Sequence, residues 1–412
     1  MLDNFTIIRR VLIVWPEYPP SIGGMQVQGE ALAWYLASQG IEVTVVCDSP
    51  CNPAEWSSCA EYDATSPVIV LRKLIRSEFN FSLNKLKEIA TATSPDVVYC
   101  SHLALSPAFE GIAPVVCRSA ANDVLRSWFG PYNISAEVMN ALSPQEQKHR
   151  IEGNKSWCKT AAKTCRVLIC NTRWTNSKLQ FLSIPTFEVI TGGVDTMRFV
   201  PNRGSSIRKE LGFLSSDFLA LVAGRHVKKK SYDLAIKAIS LCNDTHIKLV
   251  IVGDGAETNF LKSLTRDLNL NDRVRFIGRV SHSKMPELIS SADVLLAPST
   301  DAYDPLRFEV DYESMGRVLL EASSCQLPVI ASRTAGIPEV VFHDVNGLLV
   351  EPGCELSLAT AVSRLANDPS LCMRLGLSGR KLAVERFCFS KVNSATLRVL
   401  CQVLPQGGKS AV

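Results

Sequence analysis

The stretch ESMGRVLLE, Glu313 to Glu321, holds two glutamates with a Ser, a Met and a Gly close by. Were it helical throughout, eight steps of about 100° would leave the carboxylates about 80° apart in azimuth and about 12 Å apart along the axis. One atom cannot be served from both ends of that span. Strong apolar periodicity resumes near Ser314, so the sequence predicts a helix capped by Ser314, with Met315 and Gly316 in its first turn. Such a start offers N–H groups and a dipole to an anion, and Gly316 removes a side chain where a phosphate would approach. Carboxylates beside a phosphate are tolerable if each accepts hydrogen bonds from hydroxyl groups on its own flank. A nucleoside diphosphate sugar has that layout, with the ribose at Glu321, the diphosphate at the helix start and the sugar at Glu313. From this spacing alone, a surface helix with two glutamates is the competing reading.

A second cluster supports the ligand. In LVAGRHVKKKSYDLAIKAI, Arg225 directly follows an apolar run and Lys230 comes just ahead of a helical one. Two cations at the carboxyl end of a strand could neutralise a diphosphate leaving group. Lys228 and Lys229 read as a solvated basic loop.

These residues need elements to hold them. The segment RRVLIVWPEYPPSIGGMQVQGEALAWYLASQGIEVTVVCD reads as a buried strand, a Pro/Gly loop, a helix stopped at Gly40, and a second strand. SPDVVYCSH, APVVCRSA, CRVLICNT and TFEVITGG continue the alternation. After the Gly/Pro-rich GGVDTMRFVPNRG the rhythm restarts with FLALVAGR, IKLVIVGDG, VRFIGRV, ADVLLAPS, LPVIAS and NGLLVEPG. The expected fold is α/β, with two doubly wound, Rossmann-like domains facing a deep cleft. Residues 1–195 form the first domain and 196–385 the second, with the tail 386–412 carrying the last helix, FSKVNSATLRVLCQVL. Thr300 to Tyr312 reads as a long loop.

The chain has 412 residues and a formal net charge of +4, a mild excess that lacks the dense basic stripe nucleic acid would need. Fourteen cysteines without paired CxxC spacing or a secretory leader read as reduced thiols in a cytoplasmic protein. Basic residues in RKLIRSEFNFSLNKLKEI and QKHRIEGNKSWCKTAAKTCR could touch anionic lipid on the inner face of a membrane, with a solvated face as the alternative.

Taken together, these motifs resemble the family 4 glycosyltransferases, retaining enzymes of the GT-B fold. PPSIGGMQ resembles their N-terminal glycine loop, GGVDTMRFVP their linker, GR followed by K their diphosphate-binding pair, and ESMGRVLLEASSCQLPVIASRTAGIPEVV their long C-terminal signature. The resemblance implies Gly23 and Gly24 near the diphosphate and acceptor, and Arg225 and Lys230 on the diphosphate. It also implies Glu313 at the donor sugar, backbone N–H groups of Met315 and Gly316 on the donor, Glu321 at the ribose, and backbone from Ile277 to Val280 at the base. The final helix would cross back onto the first domain, which would bind the acceptor.

Three substitutions depart from the family pattern at Gly192, Ser231 and Gln326. A fourth matters more, because Ala120 or a neighbour stands where many relatives carry a histidine. Asn122 and Asp123 remain as acceptor-binding candidates, and His102 joins them by strand order. The activity implied is transfer of a sugar from a nucleotide-diphosphate sugar to a glycan, lipid-linked or small-molecule hydroxyl acceptor, with retention and without a metal or other cofactor. Asp301 and Asp304 come nearest to an acidic metal-binding pair. The competing functions are a non-catalytic nucleotide-sugar-binding protein and a sugar-nucleotide epimerase of the same fold.

Overall fold

The computed structural model of the chain describes residues 8–20, 23–75, 77–121, 124, 142–202, 207–304 and 309–404. They fall into two compact units, the first from Met1–Thr191 and Ser390–Val412, the second from Gly192–Asp304 and Glu309–Phe389. The acceptor candidates Asn122 and Asp123 lie outside the described residues.

In unit 1, short apolar runs with few polar interruptions become strands buried on both faces, as a sheet covered by helices requires. They are β1 (Arg10–Val14), β2 (Glu42–Asp48), β3 (Ile69–Leu74), β4 (Val97–Cys100), β5 (Val115–Ser119), β6 (Cys165–Cys170) and β7 (Thr186–Val189). Their order is β3-β2-β1-β4-β5-β6-β7, every neighbour parallel. Strand β3 escapes the sequence reading because it is an edge strand: Ile69 is exposed and Arg72 and Lys73 interrupt the apolar run. The helix Gly24–Ser38 packs so tightly on β1 that a Cβ at Gly29 would lie 2.7 Å from the Trp15 ring.

The C-terminal helix Phe389–Gln402 belongs to this packing. Val392, Val399 and Leu400 join a core with Ile13, Leu36 and Val45, and Asn393 Nδ2 donates to the Ala31 carbonyl at 2.8 Å. A buried amide with a specific backbone acceptor fixes the helix in register as well as depth.

Unit 2 contains β8 (Phe218–Ala223), β9 (Ile247–Val252), β10 (Val274–Gly278), β11 (Val294–Ala297), the hairpin β12 (Ala302–Asp304) and β13 (Glu309–Asp311), then β14 (Val329–Ser332) and β15 (Gly347–Val350). The main sheet runs β10-β9-β8-β11-β14-β15, all parallel. The segment Thr300 to Tyr312 is therefore not a plain loop. Ala302 pairs with Asp311 and Asp304 with Glu309 in an antiparallel hairpin.

The GGVD segment is packed rather than free. Val194 donates to the Phe387 carbonyl at 2.9 Å and accepts from the Phe389 N–H at 3.1 Å. A Cβ on Gly193 would stand 2.5 Å from the Phe389 ring. Asp195 Oδ1 accepts from the Met197 and Arg198 N–H groups, each at 3.0 Å, closing the turn. No helix among the described residues is long and apolar enough to cross a membrane.

Candidate active site

In a doubly wound sheet, a crevice opens at the carboxyl ends of the two central strands whose connections depart in opposite directions. Unit 2 has that switch point between β8 and β11. The chain leaves β8 through Gly224, runs through exposed Arg225 and the turn Lys228–Lys230, and enters the helix Tyr232–Leu241. From β11 it passes through the hairpin to Glu313.

Lys230 and Glu313 meet there, Nζ to Oε2, at 2.5 Å, with side chains 19% and 14% exposed. Burial pushes the Glu313 carboxyl up, but Lys230, then Lys229 and Arg225, outweigh it and hold it below the usual carboxylate value. Burial likewise works against the charge on Lys230, and Glu313 overcomes it, leaving the ammonium above its ordinary value. The pair is charged at neutral pH. Tyr232 lies against it, its phenol pushed up to about 12 by burial.

Lys229 is not the solvated residue the sequence suggests. Its Nζ donates to the Tyr312 carbonyl at 3.2 Å, and its carbonyl accepts from the Thr300 N–H at 3.0 Å. Ser231 and Thr300 add a hydroxyl pair at 2.6 Å. The lysine loop and the segment carrying Glu313 are thus stitched together by the protein's own contacts.

The helix beyond Glu313 starts later than the sequence predicts. It runs Arg317–Ser324, and its cap is Gly316 rather than Ser314, with no side-chain cap and a left-handed φ of 80°. That conformation favours glycine and stops helical winding at this point. Met315 is buried, and its sulfur accepts from the Gly192 N–H at 3.3 Å. Glu321, one turn into the helix, is 8% exposed. Its Oε1 lies 3.5 Å from Arg317 Nη2 and 4.0 Å from His282 Nε2.

Arg317 and His282 were not singled out by the sequence. Arg317 precedes Glu321 by four residues on one helical face, a legible pairing. His282 arrives from the loop after β10, with its ring edge-on to Phe199, and no sequence spacing links it to Glu321. Ile277 and Val280, in and just after β10, are half-buried against the core that contains Met315 and Leu319.

The loop carrying Arg225 is buttressed by its neighbours. Gly224 donates to Val252 O at 3.1 Å, His226 to Asp254 O at 3.0 Å, and Gly253 to Gly278 O at 2.8 Å. The His226 ring is buried at 1% exposure, with Nδ1 2.8 Å from the Thr258 hydroxyl and an edge-to-face contact with Tyr232. Burial holds its imidazole below the ordinary value of 6.5. Above that value the ring is neutral folded or unfolded. Below it the unfolded chain takes up a proton that the folded protein resists, so stability falls as pH drops, by at most about 1.4 kcal/mol per pH unit. Melting curves from pH 7.5 to 5.5 are expected to show an acid-side loss that is smaller in His226→Gln. Equal losses in the two proteins would remove His226 from the account.

In unit 1 the switch point lies between β1 and β4. The glycine turn follows β1: Gly23 precedes the helix Gly24–Ser38 and gives it no side-chain cap. His102 follows β4, half-buried, with Nδ1 2.9 Å from the Ser101 hydroxyl. Ala120 follows β5, the strand beside β4. The sequence candidates therefore divide between the switch points: Arg225, Lys230, Glu313 and Glu321 gather at the unit 2 crevice or the helix leaving it, and Gly23, Gly24 and His102 gather in unit 1. Among the described residues, no group of three or more His, Cys, Asp or Glu side chains forms a candidate metal site. Asp301 Oδ1 accepts from the Thr334 hydroxyl at 3.0 Å.

Each unit is thus a Rossmann-like sheet with a switch point at the carboxyl ends of its central strands. Comparison with known proteins makes the class specific. Residues 22–198 match the family described as Glycosyltransferase Family 4, and residues 205–382 match Glycosyl transferases group 1. A GDP-mannose-dependent monoacylated alpha-(1-6)-phosphatidylinositol monomannoside mannosyltransferase of Corynebacterium glutamicum is 29% identical, over 90% of this chain and 92% of that protein. A glycogen synthase of Mycobacterium tuberculosis is 26% identical, over 95% of this chain and 94% of its own. The crystal structure of Anabaena HepE in complex with UDP superposes with a TM-score of 0.72 at 20% identity, covering 96% of this chain and all of that one. The chain belongs to the family 4 glycosyltransferases and has their GT-B fold.

Proposed function

We propose that the protein transfers a sugar, with retention of anomeric configuration, from a nucleoside-diphosphate donor to an acceptor hydroxyl. The observation that carries this reading is the half-buried Lys230–Glu313 pair beside Arg225 at the unit 2 switch point. A structural ion pair could sit anywhere, whereas this one stands where an open α/β sheet receives a ligand. An ammonium has three donors, so Lys230 can keep Glu313 and still bind a phosphate oxygen. Glu313 in turn accepts hydrogen bonds from sugar hydroxyls. Glu321 accepts from the ribose, and backbone N–H groups at Met315 and Gly316 reach the diphosphate. Backbone between Ile277 and Val280 borders the base.

As the glycosidic bond breaks, negative charge grows on the leaving diphosphate. Arg225 and Lys230 stabilise it more in the transition state than in the ground state. With attack from the face the diphosphate leaves, that phosphate takes the acceptor proton. In this reading Arg225 and Lys230 supply the positive charge that the leaving group needs, and the reaction runs without a metal. Unit 2 is the donor domain and unit 1 the acceptor domain, where Gly23 and Gly24 offer backbone N–H groups to an anionic substrate group and His102 borders the acceptor.

The Corynebacterium relative, by its name, uses GDP-mannose and a lipid-linked acceptor, so these head the substrates to test, with the protein working in the cytoplasm at a membrane surface. A ligand at 100 times its Kd stabilises the folded state by about 2.7 kcal/mol. One of UDP, GDP and ADP is therefore expected to raise the melting temperature well above the others, and its sugar conjugates to be turned over, with product stereochemistry read by NMR. The absence of the family's histidine, where Ala120 or a neighbour stands, favours one other reading, a nucleotide-sugar-binding protein without turnover. Tight binding with neither transfer nor slow donor hydrolysis would establish that reading instead.

A further inference from the structure

We propose that Arg72 is a positioning residue for transfer, holding the glycine turn at Gly23 and Gly24 through the carbonyl of Pro19. The proposal rests on the transferase reading above, and on a set of contacts within unit 1. Arg72 comes from the edge strand β3 opposite Cys47 of β2, and is 7% exposed. Its Nε and Nη2 donate to the two oxygens of Asp63 at 2.9 and 2.8 Å. Nη2 also donates to the Pro19 carbonyl at 2.5 Å, and Nη1 reaches the Cys47 sulfur at 3.5 Å.

The loop that receives this contact is poor in backbone donors. Pro16, Pro19 and Pro20 have no N–H, so this stretch has few donors for its own carbonyls. Outside donors serve them instead: the Asp48 N–H reaches Pro16 O at 3.0 Å, and Arg72 reaches buried Pro19. Beyond the turn, Trp15 Nε1 donates to Met25 O at 3.0 Å. The carbonyls of Pro19 and Met25, on either side of Gly23 and Gly24 in the chain, are thus each held by a side chain of unit 1. A buried guanidinium is costly unless a carboxylate neutralises it, and Asp63 in the helix Pro53–Thr65 does so. Asp63 takes two of the five guanidinium N–H groups, and a third partner chosen from another element couples the β3–helix pair to whatever that element carries. The extra reach to Pro19 makes it a strut for the turn.

Lysine cannot replace it, because one ammonium does not reproduce a fork that serves a carboxylate and a separate carbonyl together. A displacement of about 1 Å in a reacting group costs up to about 100-fold in rate. Arg72→Lys and Arg72→Met are therefore expected to lower kcat about 10- to 100-fold, while the Kd for the preferred nucleotide among UDP, GDP and ADP rises by no more than about threefold, since Arg225, Lys230, Met315, Gly316 and Glu321 are in unit 2 and the glycine turn adds backbone contacts alone. Amide hydrogen exchange across residues 15–25 should quicken in both variants, and Asp63→Asn should show the same pattern more weakly.

A folded Arg72→Lys protein with wild-type kcat overturns the proposal. So does a parallel loss of kcat and nucleotide affinity, which marks a general loss of structure. If the wild-type protein transfers no sugar from any donor, the transferase reading fails, and the strut is judged by hydrogen exchange: quickened exchange in Arg72→Lys sustains it and unchanged exchange overturns it.

Discussion

Replacing Lys230 with Met is expected to cut turnover by about 10²- to 10³-fold and to destabilise unit 2 by about 2–3 kcal/mol, below the range for a fully buried pair. The two losses have different origins, and the site allows them to be separated. Turnover falls because a cation aimed at a developing anion is gone. Stability falls because Glu313, its side chain 14% exposed and 2.5 Å from Lys230 Nζ, is left largely shielded from water without its partner. A double variant, Lys230→Met with Glu313→Met, removes both charges together, and swapping a buried pair for apolar groups of similar volume is often neutral. The double variant should regain most of the lost melting temperature and none of the turnover. Glu313→Gln, which keeps the shape and drops the charge, should also lose transfer while remaining folded. Recovery of activity in the double variant would show that the pair is structural and that the chemistry lies elsewhere.

Gly253→Ala is expected to destabilise the protein by about 3 kcal/mol or more and to abolish transfer, although residue 253 has no assigned contact with any substrate. Gly253 has a φ of 120°, and a Cβ there would fall 1.9 Å from the Gly224 carbonyl oxygen and 2.9 Å from its carbon. Backbone cannot yield as a flexible side chain does. The turn carrying Gly224 would have to move, and Arg225 is its next residue. His226 Nε2, 3.4 Å from the added carbon, would stand at ordinary van der Waals contact, so the clash is with the Gly224 backbone. Thermal melts paired with turnover measurements test this. A Gly253→Ala protein with wild-type values in both would mean that the three loops after β8, β9 and β10 are not interlocked as described.

Much of the architecture is legible in the chain because parallel strands covered on both faces must be apolar. VLIV, VTVV, LVIV and VLLA advertise themselves, and their alternation with helical stretches indicates two doubly wound sheets. The edge strand at Arg72 does not, since an edge tolerates the polar residues that make a run resemble a loop. The hairpin after Thr300 is hidden for a similar reason: three-residue strands carry too little periodicity to read. The helix predicted from Ser314 begins at Arg317 because Gly316 takes a left-handed conformation, and a glycine's presence does not reveal which of its allowed conformations the surroundings select.

The sequence by itself determined the two-sheet α/β architecture, the family, and the residue types that could grip a diphosphate, because local periodicity and short motifs are written in consecutive residues. The tertiary structure alone decided that Lys230 pairs with Glu313, that Lys229 is tied to Tyr312 instead of solvated, that His282 faces Glu321, and that Arg72 reaches Pro19. Each joins positions 39 to 83 residues apart, or 53 for the Arg72 contact. Such contacts depend on strand order and on which loops meet at the end of a sheet, and nothing in the spacing of neighbouring residues encodes that.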